Sequence, residues 1–277
     1  MRKKWHITLL LTLMLLLCAC SSVQSDDTIP TVSPSHQPES TDAPGPSIPE
    51  PEPTDGAVHE TESPMLPHSE LYLPECSAEQ MTAYFEEVVL HVEYTDGTGA
   101  DNLVQKWLTP LYYRMYGTPT ETDLKVLNAL FEQLNAVPGF PGIYPAADEL
   151  QEDVSISFLE PEAFRESFSA VINGEEAYGA VQFWYYTLTN ELHTARIGYR
   201  TDVEQSIRNS VLVEEIINML GISDTVLRPD SITYQYSNEN TGLSDVDQVI
   251  LRLLYDPSIQ CGMTADSCAA IIQELYY

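Results

Sequence analysis

The sequence predicts an α+β domain that follows a long unstructured segment, and three observations lead to this class. Short runs rich in β-branched and aromatic residues, such as 154–158, are typical of strands. Runs with apolar residues every three or four positions, such as 120–134, are typical of amphipathic helices. Strands and helices are mixed without strict alternation, and helical patterns occupy the C-terminal end.

Residues 1–19 have the pattern of a secretion signal, with Arg2, Lys3 and Lys4 before an apolar run at 7–17. The run is too short to span a bilayer, which takes about twenty residues. The letters LCAC at 17–20 resemble a bacterial lipobox, which implies cleavage before Cys20 and acylation of that cysteine. We therefore expect an extracytoplasmic protein, lipid-anchored to the bacterial cell membrane through Cys20. The alternative is an ordinary cleaved leader that leaves Cys20 free.

Residues 20–70 have the composition of a disordered tether. Positions 21–70 hold ten Pro and ten Asp or Glu but no Lys or Arg. Such a segment buries too little apolar surface to offset its conformational entropy. The globular domain is therefore expected at 71–277, a length that suits one domain or two small ones.

The formal net charge is −30, and three of the twelve Lys and Arg residues lie in the leader. Phosphate binding needs a basic patch, so nucleic acid is excluded as a partner. Of the five cysteines, Cys18 belongs to the leader and Cys20 is the lipidation position. The domain therefore has three cysteines, Cys76, Cys261 and Cys268. Export permits a Cys261–Cys268 disulfide, and buried free thiols are the equally open alternative.

The first half of the domain predicts two strands and a helix. The run at 86–94 is rich in β-branched residues and stops at the turn signal Asp96-Gly97, so we predict a strand. A second strand is predicted at 110–116, and a helix at 120–134 with Thr120 as its N-cap. The Pro- and Gly-rich stretch 137–145 predicts a loop.

The second half predicts a strand at 154–158, a short helix at 160–168 and a hairpin of strands at 180–188 and 192–199. A helix then begins between 202 and 210, where Asp202 and Gln205 fit a capping box, and ends at Gly221. Two further helices are predicted after Ser244 and Thr264.

The segment EEIINMLGISD at 214–224 has the one residue spacing in the sequence that resembles a catalytic metal site. Residues four apart share a helix face, which is why metalloproteases place two zinc ligands at i and i+4. This segment resembles the metzincin motif HExxHxxGxxH. The resemblance implies that Glu214, Asn218 and Asp224 stand at the three ligand positions and Glu215 at the general-base position. Thr233 stands where these proteases have the Met of their turn.

Loss of the histidines predicts loss of the metal. Zinc favours His and Cys, and three oxygen ligands fall short of the six to eight that calcium takes. Without zinc, Glu215 cannot activate water at a useful rate. The domain keeps His91 and His193, whose positions do not link them to this helix. We therefore expect no metal and no cofactor, and Glu215 is interpreted as an inactive relic.

More of the chain resembles the bacterial domain-of-unknown-function 2927 family of exported proteins. The resemblance rests on 214–224, PDSI at 229–232, LSDVDQVILRLLYDP at 243–257, Gly262-Met263, and the early pattern of Trp107, Pro110 and Gly117. It implies a zincin-like fold, with a twisted mixed sheet packed against helices and a C-terminal helical part. It implies no demonstrated catalysis.

The sequence thus favours a non-enzyme, a metalloprotease-like pseudoenzyme that binds a peptide or an envelope protein in the relic cleft. In a zincin the substrate pairs with an edge strand, and strand addition needs no metal. One alternative is an active metal-dependent peptidase with an oxygen-ligand site at Glu214, Asn218 and Asp224. A further alternative is a structural envelope module.

Overall fold

A single five-stranded sheet organises the part of the chain that the structure describes. The computed structural model describes residues 69–90, 103–148, 150–172 and 177–276. All of them belong to one compact unit. The predicted leader, Cys20, the tether as far as residue 68, and His91 lie outside the described residues. No helix within these ranges has the length and apolar character that crossing a membrane requires.

The sheet is mixed, with one antiparallel strand at its edge. Its order is β2-β1-β3-β5-β4, and all neighbours are parallel except β4 and β5. The strands are β1 (Leu111–Tyr116), β2 (Ile143–Pro145), β3 (Val154–Leu159), β4 (Gly179–Tyr185) and β5 (Leu192–Arg200). The α+β class with a mixed sheet packed against helices is therefore confirmed.

Helices cover both faces of the sheet. The helices on one face are α2 (Glu121–Asn135) and α5 (Gln205–Asn218), and those on the other are α3 (Pro161–Ser167) and α4 (Ser169–Ile172). A buried ion pair joins α2 to α5, with Arg208 Nε 2.9 Å from Asp123 Oδ1. Burial alone would raise the pKa of Asp123, but hydrogen bonds from Gln205, Thr120 and Arg208 outweigh it and lower the pKa.

The remaining helices join the two ends of the described chain. Helix α1 (Ala78–Phe85) begins at Ser77 with a capping box and packs against α7 (Ala265–Tyr276). Helix α6 (Asp245–Leu254) precedes α7 and carries Val246, Ile250 and Leu254 into the core. The predicted C-terminal helical part is confirmed.

The clearest sequence patterns give the correct elements. Helix α2 has Thr120 as its N-cap, and α6 begins at Ser244 with Asp247 completing a capping box. The strands near 110–116 and 154–158, the hairpin, and the helices near 160–168 and after Thr264 all form, with bounds that differ by a few residues. Gly221 has the predicted left-handed backbone, with φ 92°.

Four local predictions are wrong. The predicted strand at 86–94 is helical as far as Leu90, because Glu86–Leu90 continues α1 as a π-helical turn that buries Val88 and Val89. The predicted loop 137–145 ends in strand β2, which is held by pairing with β1. Asp202 does not cap α5: its carboxylate pairs with Arg200 at 2.8 Å, and α5 ends at Asn218, before Gly221.

Asp247 connects the start of α6 to the turn at 231–233. Its carboxylate accepts hydrogen bonds from Ser231 Oγ at 2.6 Å, Ile232 N at 3.0 Å and Ser244 N at 2.8 Å. Burial raises the pKa of this carboxyl, and the hydrogen bonds from Ser231, Ser244 and Ile232 oppose that rise. One side chain thus caps a helix and fixes a buried turn.

Replacing Asp247 by Ala should therefore lower the free energy of unfolding by about 3 kcal/mol, because it removes a cap and leaves a buried amide without its acceptor. Urea unfolding measures this change. The matched control is Asp245→Ala, an exposed acid in the same helical turn. Equal effects of the two substitutions would contradict the role given to Asp247.

Candidate functional site

Helix α5 carries the predicted site and is enclosed along its C-terminal half. Residues 210–220 are all buried, although the run includes Ser210, Glu214, Glu215 and Asn218. Apolar neighbours account for most of this burial, since Val211, Leu212, Ile216 and Ile217 belong to the main core. Polar side chains enclosed in this way need partners inside the protein.

Two of the three residues that the metzincin resemblance assigns to ligand positions are hydrogen-bonded to each other. The Asn218 Nδ2 group donates a hydrogen bond to Asp224 Oδ1 at 3.2 Å. Asn218 is buried at the end of α5, and Asp224 lies half-buried in the loop that follows Gly221. Gly221 allows this turn: a Cβ there would lie 2.4 Å from the Gln105 carbonyl oxygen. The chain therefore returns to α5 as the motif predicts.

The first of the three predicted ligand positions, Glu214, lies on the same helix and is buried, with 1% of its surface exposed. Zinc does not suit this set, because an amide and two carboxylates lack the nitrogen and sulfur ligands that zinc favours. Asp224 already accepts the Asn218 amide. Within the described ranges, no three His, Cys, Asp or Glu side chains are grouped so that they could hold a metal ion.

Glu215, at the general-base position, packs under the edge strand β4. A Cβ built on Gly179 would lie 2.9 Å from Glu215 Oε1 and 2.6 Å from the Val211 side chain. Gly179 is the first residue of β4, so the absence of a side chain lets the strand approach α5 at this point. Glu215 is 1% exposed and therefore has little access to bulk water.

Tyr199 of β5 is the buried neighbour of both glutamates. Its hydroxyl donates to the Leu212 carbonyl at 2.9 Å, which ties the sheet to α5. Burial raises the pKa of Tyr199 well above its ordinary value, and the nearby charges of Glu215 and Glu214 add to the rise. Tyr199 therefore serves as a neutral hydrogen-bond donor at neutral pH.

The N-terminal helical segment holds the loop that follows Asp224. Glu87 accepts hydrogen bonds from Thr225 Oγ1 at 2.7 Å and Val226 N at 3.0 Å. Ser223 N donates to the Val88 carbonyl at 2.6 Å. The π-helical turn at 86–90 thus fixes the position of the loop that carries the third relic ligand position.

Thr233, at the turn position, belongs to a hydrogen-bonded network that includes α6. Its Oγ1 lies 3.1 Å from Ser231 Oγ, which donates to Asp247. Its carbonyl accepts from Thr225 N at 3.0 Å, so the turn runs beside the loop that follows Asp224. The turn is held by this buried polar network.

A comparison with models of known protein families shows which family this chain belongs to. A family model described as "Protein of unknown function (DUF2927)" matches residues 78–274. The chain belongs to the DUF2927 family. The match extends from the start of α1 nearly to the end of α7, so it includes the whole sheet and the α5 region. No curated protein matches the chain.

Four residues that the metzincin resemblance assigns to a site lie in one region, and three further residues contact it. Glu214, Glu215, Asn218 and Asp224 all lie on α5 or the loop after it. The added residues are Gly179, Tyr199 and Glu87. Glu87 and Gly179 come from distant segments and Tyr199 from the preceding strand β5, and no local pattern identifies these contacts.

The close approach at Gly179 makes a prediction about stability. Gly179→Ala should lower the free energy of unfolding by about 2 kcal/mol, because the new methyl group overlaps Val211 and Glu215. Gly242→Ala is the control, since a Cβ there meets nothing within 4 Å. Thermal or urea unfolding of both variants measures the difference, and an unchanged Gly179→Ala protein would contradict the close packing of β4 on α5.

Proposed function

We propose that this DUF2927 protein is a lipid-anchored, extracytoplasmic binding protein with a non-catalytic, metalloprotease-like domain. Its ligand is an extended peptide segment of an envelope protein, which adds as a strand to the outer edge of β4. The observation that carries this proposal is the position of β4, an antiparallel edge strand packed directly on the helix with the relic motif.

The register of β4 identifies the backbone groups that would bind. Arg200 N donates to the Tyr178 carbonyl, and β4 and β5 then pair as Ala180 with Gly198 and Gln182 with Arg196. In an antiparallel pair, the residues between the hydrogen-bonded pairs direct their N–H and C=O groups away from the partner strand. On β4 these residues are Gly179, Val181 and Phe183. In the described part of the chain, no strand pairs with this outer edge.

Residues 179–183 are buried although no described strand pairs with this edge, so strand addition requires the edge to open before its backbone groups can act as a template for a further strand. Backbone hydrogen bonds supply affinity in strand addition, and side-chain pockets along the strand supply selectivity. The strong negative charge of the chain, −30, favours neutral or basic peptides through long-range attraction.

The relic helix supports a function without chemistry. Hydrolysis by a zincin requires a metal-bound water, and here an amide and a carboxylate at two ligand positions bond to each other. Glu215 is enclosed beneath Gly179. The peptide edge does not depend on either feature, so binding survives the loss of the metal.

The test of strand addition uses the purified full-length protein and an array of random decapeptides. Peptides retained by the wild type should bind Val181→Pro at least tenfold more weakly, because proline removes one outward N–H. Val181→Ala is the matched control for the lost side chain and should keep most of the affinity. Equal binding by the two variants, or no peptide retained by the wild type, would contradict the proposal.

Anchoring rests on the sequence of the leader, and it has a separate test. Cys20→Ser should move the protein from the membrane fraction to the soluble extracytoplasmic fraction, because the acylated thiol is lost. An unchanged distribution would contradict lipidation at Cys20.

A further inference from the structure

The sheet face that carries α3 and α4 has an exposed arginine on its central part. Phe168, which follows α3, packs over Gly198 of β5, where an added Cβ would lie 2.2 Å from the ring. Arg196 lies two residues earlier on the same strand and is exposed, with its guanidinium over the Phe168 ring. Its neighbours Ala195 and Ile197 point to the main core. Arg196 therefore points to the opposite face from α2 and α5.

A row of four polar residues crosses this face, and we call it the Arg196 row. The strand register pairs Arg114 with Ser155, Ser155 with Arg196, and Arg196 with Gln182. Paired residues on neighbouring strands share a face, and neighbouring strands are about 4.8 Å apart. Ser155 and Gln182 therefore flank Arg196 within a width of about 10 Å. None of the four residues is acidic.

The three arginines of the sheet differ in their partners. Arg114 Nε lies 3.3 Å from Glu152, and its Nη2 group donates to two backbone carbonyls. Arg200 lies 2.8 Å from Asp202. Arg196 has no carboxylate partner in the described part of the chain, although the net charge of the chain is −30. A cation that so acidic a chain leaves without a carboxylate is available to an anionic ligand.

The guanidinium of Arg196 is held by an aromatic ring. Its central carbon lies 5.3 Å from the centroid of the Phe168 ring, and Phe168 is buried and stacked on Phe164. A guanidinium that stacks on a ring keeps the N–H groups at its edge free to donate. Exposed ion pairs are weak partly because both side chains must be ordered, and this contact orders one of them before binding.

Two neutral polar side chains lie beside Arg196. In the described part of the chain, neither the Ser155 hydroxyl nor the Gln182 amide has a hydrogen-bond partner. Gln182 is 7% exposed, and its amide atoms keep contact with solvent. An almost buried amide without a partner costs stability unless water or a ligand binds it. Trp184, half-buried two residues further along β4, offers apolar surface next to these groups.

We propose that the Arg196 row binds the C-terminal carboxylate of a peptide, with Arg196 paired to the carboxylate and Ser155 and Gln182 hydrogen-bonded to the last peptide unit. The guanidinium fork matches the two oxygens of a carboxylate. One cation between neutral groups fits one negative charge, and the charge of −30 repels polyanions such as acidic polysaccharides. A peptide end has one such charge beside an amide, which Gln182 can bind as donor and acceptor.

This site is distinct from strand addition at β4. The carboxylate binds on the face of the sheet, whereas strand addition uses the backbone groups at the outer edge of β4. Strand addition involves internal peptide groups, so it does not distinguish a free C-terminus from an amidated one. A preference for the free carboxylate therefore reports on the Arg196 row alone.

The test uses immobilised full-length protein and two pools of random N-acetylated pentapeptides, one with a free C-terminal carboxylate and one with a C-terminal amide. The wild type should retain the carboxylate pool about tenfold more strongly, the effect of a hydrogen-bonded charged pair. Arg196→Gln should abolish this preference. Arg196→Lys should keep only part of it, because an ammonium group cannot form the two parallel hydrogen bonds. Urea unfolding shows that each variant is folded.

The matched control for charge is Lys125→Gln, an exposed cation on α2 at the other face of the sheet, and it should keep the full preference. Equal retention of the two pools by the wild type, or retention of neither pool, would overturn the proposal. A preference that persists in Arg196→Gln would do the same. Glucuronate that displaces the peptides with an affinity equal to theirs would also overturn it, because a carboxylate without a peptide would then suffice.

Discussion

The enclosure of helix α5 is the constraint on which the rest of the structure depends. The sheet and α2 pack against α5, and no residue from 210 to 220 is exposed, so the helix must satisfy its polar groups internally. Asn218 does so by donating to Asp224, and Glu215 packs beneath Gly179. This hydrogen bond joins the end of α5 to the loop that follows Gly221.

The sequence predicts the elements whose signals are local. The capping boxes at Thr120 and Ser244 fix two helix starts, and the turn at Gly221 follows from the need for a left-handed backbone. The prediction from sequence fails at 86–90, where β-branched residues suggest a strand but burial against the core favours a helix. Tertiary packing overrides propensity there. The outer edge of β4 could not be read from the sequence either, because strand order depends on long-range pairing.

The candidate site also contains residues that the sequence locates and contacts that it does not. Motif spacing locates Glu214, Glu215, Asn218 and Asp224, because residues on one helix and its following turn keep fixed separations. The Glu87 contact with Thr225 joins residues 138 positions apart, and no spacing rule anticipates it.

We propose that this DUF2927 domain has a metalloprotease-like scaffold in which the Asn218–Asp224 hydrogen bond stands where a metalloprotease holds its metal. The most direct measurement is zinc content after equilibration with zinc and dialysis, for the wild type and for the triple variant Glu214→His, Asn218→His, Asp224→His, together with peptidase assays of the wild type and Glu215→Gln. The account predicts no stoichiometric zinc and no cleavage for the wild type, and about one zinc per chain for the triple variant. Stoichiometric metal in the wild type, with cleavage abolished by Glu215→Gln, would contradict it.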